Sequence, residues 1–70
     1  MSRKDYVILA AALLFARKAA QNVGEVAGVN RAVESVADAL ADDNRRFHRV
    51  RFYLAAGAVS LAADLTERGL

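Results

Sequence analysis

The sequence predicts an all-α fold, a small bundle of three helices expected to be oligomeric, and three observations predict it. Hydrophobic residues make up 56% of the chain, and many of them are Ala, the residue that costs least to place in a helix. The larger apolar residues recur at spacings of three and four, which is helical periodicity and not the alternation of a strand. There is no Pro, and the only glycines are Gly24, Gly28, Gly57 and Gly69, so chain breaks are few and readable.

The first helix is expected over about residues 3–22, opened by a capping box of Ser2 with Asp5. Its apolar positions form two adjacent stripes. Ile8, Ala12, Phe15 and Ala19 make one; Tyr6, Leu9, Leu13, Ala16 and Ala20 make the next. A break is expected over Val23 to Gly28. The second helix then runs over about 30–43 from an Asn30 N-cap, with Val33, Val36, Ala37 and Leu40 inward. Asp42, Asp43 and Asn44 mark a corner, with Asn44 as N-cap of a third helix over about 45–68. That helix places Phe47, Val50, Leu54, Ala58, Leu61 and Leu65 on one face. Gly57 is the one place where it could end early, but an interior Gly costs only about 1 kcal/mol relative to Ala and continuation is expected.

A chain of 70 residues is read as one domain, 1–70, with a small core that usually needs a staple. There is no Cys for disulfides, and a lone His48 cannot build a structural zinc site, so oligomerisation is the remaining means. The lack of Cys fits a reducing, cytoplasmic setting. Two apolar runs, Tyr6 to Ala16 and Phe52 to Ala63, are too short for a bilayer span of about 20 residues, so no membrane association is expected. Arg17 and Lys18 stand where a signal peptide would carry its small-residue cleavage site.

Arg3-Lys4-Asp5-Tyr6, Leu40-Ala41-Asp42-Asp43-Asn44, Arg46-Phe47, Arg51-Phe52 and Ala56-Gly57 together resemble a group of short phage and prophage proteins. Those proteins share R-K-D-Y, L-A-x-D-N, two R-F pairs and a small-residue-Gly terminus, and have no assigned activity. The resemblance implies a phage or prophage origin and a bacterial cytoplasmic setting. This chain departs from the pattern in having Arg45 where Pro is common, and in continuing from Ala58 to Leu70.

One His, no Cys, and Ser only at 2, 35 and 60 leave little material for a nucleophile and base, so no enzyme, cofactor or metal is expected. Two surfaces are the candidates. Arg45, Arg46, Arg49 and Tyr53 form a basic patch suited to phosphates, RNA bases or an acidic protein surface. The competing reading is an internal ion network with Glu34, Asp38, Asp42 and Asp43, and a net charge of only +2 argues against broad nucleic-acid binding. The second surface is surplus apolar area, with Tyr6, Leu9, Leu13, Phe52 and Val59 expected at an oligomer interface, most simply a two-fold homodimer. The sequence thus predicts a self-associating helical interaction module acting on a host or phage protein. Its rival is a nucleic-acid-binding accessory protein that uses the basic patch.

Overall fold

Asn22 sets the first corner of the chain. The computed structural model describes residues 3–69, and these fold into α1 (Arg3–Ala19), α2 (Val23–Asp43), α3 (Arg49–Ala55) and α4 (Val59–Gly69), with no strand among them. The Asn22 side chain accepts a hydrogen bond from the Glu25 backbone N–H at 2.9 Å, and the Glu25 carboxylate reaches back to the Gln21 N–H. Donors at a helix start that have no partner within the helix are satisfied in this way, as in a capping box. The expected break over Val23 to Gly28 is therefore corrected. This segment is the first part of α2, and α1 stops at Ala19. The box expected at Ser2 and Asp5 rests on Ser2, which lies outside the described residues.

The second corner also differs from expectation. Asn44 is the C-cap of α2, its backbone N–H bonding the Leu40 carbonyl at 3.0 Å. Its Oδ1 accepts from the Arg46 N–H, and its Nδ2 donates to the Tyr6 hydroxyl at 2.9 Å, which ties the corner to α1. Residues 45–48 are a turn, and the cap of α3 is His48, whose Nδ1 accepts from the Arg51 N–H at 3.3 Å.

The expected third helix is two helices because Gly57 ends the first of them. Its φ is +78°, the left-handed conformation that suits Gly. The Ala58 N–H bonds the Tyr53 carbonyl at 2.8 Å and the Gly57 N–H bonds the Leu54 carbonyl at 3.1 Å. These two bonds are the Schellman pattern of helix termination. The turn divides the face expected from Phe47 to Leu65 between two helices, with Ala58 buried and Phe47, Val50, Leu61 and Leu65 packed against the core. Leu54 is exposed, whereas Phe52, Tyr53 and Ala56 are buried.

The core is narrow. Ala10, Ala37, Ala56, Ala58 and Ala62 surround Val33, Leu40, Phe52 and Tyr53. Small side chains let helix axes approach closely, but each buries little area. The Cα trace measures 34 × 28 × 15 Å, so its shortest dimension is about the depth of two packed helices. At one end the core is extended by an aromatic chain, with Tyr6 edge-on to Phe47 at 5.3 Å and Phe47 tilted against Phe52 at 5.5 Å.

Candidate interaction surfaces

The two apolar stripes of α1 take opposite roles, the reverse of those expected. Tyr6, Leu9 and Leu13, expected at an oligomer interface, are half-buried and pack with Ala10 against the core. Ile8, Ala12, Phe15 and Ala19 face outward, with Phe15 77% and Ile8 56% exposed. Ala11, Ala16 and Val7 flank them, also exposed. Of the other two residues assigned to the interface, Phe52 is only 4% exposed because it belongs to the protomer's own core, while Val59 is 63% exposed at the start of α4.

Three hydrogen bonds and one glycine fix this orientation. The Asn44 to Tyr6 bond holds the N-terminal end of α1 inward. Further along, Arg17 Nε donates to the Ala56 carbonyl at 3.3 Å, and its terminal nitrogen donates to Asn30 Oδ1. One guanidinium thus joins α1 to α2 and to the end of α3. Gly57 lets the chain pass close to α1, since a Cβ there would stand 2.8 Å from Leu14 Cδ1 and 3.1 Å from Arg17 Cδ. Neither Arg17 nor the close approach of Gly57 was legible as a structural element, because both depend on contacts between residues far apart in sequence.

The basic patch does not come together as one surface. Arg45 and Arg46 project from the turn and are exposed, but Tyr53 is 4% exposed and Arg49 is half-buried. Arg49 Nη1 donates to the Tyr53 hydroxyl at 3.0 Å and pairs with Asp38 Oδ1 at 2.8 Å, and its guanidinium lies 5.9 Å from the Tyr53 ring centroid. The Tyr53 hydrogen bond, opposed by burial and helped by Asp38, holds the Arg49 guanidinium above its ordinary pKa. Asp38 is exposed, so the ion pair itself contributes only about 0–1 kcal/mol. Arg49 and Tyr53 therefore join α3 to α2.

A different set of arginines does share a surface. An open groove of about 570 Å³ runs between the start of α1 and the 44–52 segment. Arg3, Arg46, Arg51 and His48 line it, together with Phe47 and Phe52. The sequence held a signal for it, since Arg46-Phe47 and Arg51-Phe52 each set a cation beside a ring, but the turn at 45–48 was needed to bring the pairs onto one wall.

No group of His, Asp or Glu able to hold a metal ion occurs among the described residues, and no helix of those residues is long and apolar enough to cross a membrane. No protein family, curated protein or solved structure matches this chain.

Proposed function

We propose that this chain is a non-enzymatic helical interaction module that self-associates through the outward face of α1, in a bacterial cytoplasm, and modulates a host or phage protein. The excess of exposed surface carries this reading. A folded monomer of 7.5 kDa is expected to expose about 4,200 Å². This one exposes 5097 Å². The excess, roughly 850 Å² over that scaling, is close to the ~800 Å² that each partner buries in a standard protein interface.

The spacing of residues on the outward face of α1 supports a second copy as the occupant. Ile8, Ala12, Phe15 and Ala19 repeat at spacings of four, three and four, the seam of a paired helix, and the two alanines permit close approach. No charged residue lies between Asp5 and Arg17. The one His supports the non-enzymatic part, because His48 Nδ1 is occupied as a helix cap. The phage setting rests on the resemblance of the R-K-D-Y, L-A-D-D-N and R-F segments.

Sedimentation equilibrium tests the reading. The wild-type chain is expected to show an average mass well above that of the monomer at about 100 µM, since a Kd near that concentration needs only about 5–6 kcal/mol. The double variant Ile8→Glu, Phe15→Glu is expected to remain monomeric with an unchanged helical circular dichroism spectrum. A wild-type chain that stays monomeric at that concentration, or a double variant that associates equally well, overturns it.

A further inference from the structure

We infer that the groove between α1 and the 44–52 segment is a binding site for a nucleotide, a phosphate group joined to a flat ring, either free or as part of a single strand. Three guanidinium groups, Arg3, Arg46 and Arg51, line it, and no Asp or Glu does among the described residues. Their side chains are exposed and make no ion pair or hydrogen bond with any described residue, in contrast to Arg49 and Arg17. Three guanidinium groups around one concavity with no carboxylate in its lining attract an anion of more than one charge.

The remaining polar groups sharpen this chemistry. The Tyr6 oxygen already accepts from Asn44, which leaves its O–H to donate, and His48 Nδ1 accepts from the Arg51 N–H, which leaves Nε2–H as its donor. With Asn44 Oδ1 taken by the Arg46 N–H, the wall offers donors almost exclusively. A ligand rich in acceptor oxygens matches it, and guanidinium groups bind phosphate oxygens in pairs. Phe47, Ala10 and Ala55 also line the groove and give it apolar surface suited to the flat ring. The volume of about 570 Å³ lies within the ordinary range for small-ligand sites.

The experiment uses the full chain with four probes: AMP, a fluorescein-labelled single-stranded oligonucleotide, inorganic phosphate, and a labelled acidic peptide containing Phe. AMP or the oligonucleotide is expected to bind, more tightly than inorganic phosphate, with an affinity that falls steeply with added salt. The variant Arg46→Ala, Arg51→Ala is expected to weaken that binding at least about thirtyfold, a loss of about 2 kcal/mol. Arg45→Ala, outside the groove, is expected to change it by less than about threefold. Equal affinity for AMP and the strand identifies the free nucleotide as the ligand, and a much tighter strand identifies nucleic acid. Circular dichroism of the double variant verifies that it folds. Binding of the acidic peptide without binding of either nucleotide probe, phosphate bound as tightly as AMP, no binding of any probe at about 1 mM, or binding indifferent to the double substitution would each overturn the inference.

Discussion

The inner and outer faces of α1 have similar apolar content and opposite fates. Tyr6, Leu9, Ala10 and Leu13 meet the core, along with the charged Arg17, while Ile8 and Phe15 point away from it. The difference teaches that hydrophobic burial alone did not choose the orientation. Either face would bury comparable area, at about 25 cal/mol per Å². The inner face has, in addition, a hydroxyl that meets Asn44 and a guanidinium that meets both Asn30 and the Ala56 carbonyl. Such bonds are modest one by one, at about 0.5–3 kcal/mol, but they act only in one rotational setting of the helix.

The sharpest way to break the contrast is to deny α1 its close neighbour. Gly57→Ala places a Cβ against Leu14 and Arg17 and forces a side chain into left-handed backbone. A loss of about 2–4 kcal/mol is expected, summing the conformational cost and the overpacking, read from urea denaturation. Next in size, Arg17→Leu keeps the bulk of the side chain but leaves the Ala56 carbonyl and Asn30 without their donor, and about 1–3 kcal/mol should be lost in the same measurement. Gly28→Ala acts in the opposite direction. It lies on the exposed side of α2 with nothing within 4 Å of a Cβ, so thermal denaturation should show a gain of about 0.5–1 kcal/mol. The smallest effect belongs to the outer face. Phe15→Ala, at a dilution where the chain is monomeric, should change stability by less than about 0.5 kcal/mol, because the ring is 77% exposed there.

Helical class was legible from composition and spacing, and so was the inward set Val33, Ala37 and Leu40 on α2. These follow from local periodicity. The corners were less legible, for reasons that differ at each one. At Asn22 the signal was present, an Asn followed three residues later by Glu25, but the nearby Gly24 and Gly28 suggested a loop, although the helix accommodates both. At Gly57 local cost favoured continuation by the usual margin, and the close passage of α1 reversed it. At 44–48 two residues competed to open the next helix, and Asn44 was already engaged with Leu40 and Tyr6, leaving the role to His48. The surfaces were legible as chemistry but not as places. Arginines beside aromatic rings were visible in the sequence, whereas their division into the engaged Arg49 and the uncommitted Arg46 and Arg51 depends on where α3 begins.

The aromatic chain from Tyr6 through Phe47 to Phe52 also makes the molecule report on itself. With no Trp and two Tyr, ultraviolet emission comes from Tyr6, half-buried in the lining of the groove, and from Tyr53, buried on the core side of α3. Quenching by iodide should therefore separate an accessible fluorophore from a shielded one, and a ligand entering beside Phe47 should protect the first while leaving the second unchanged.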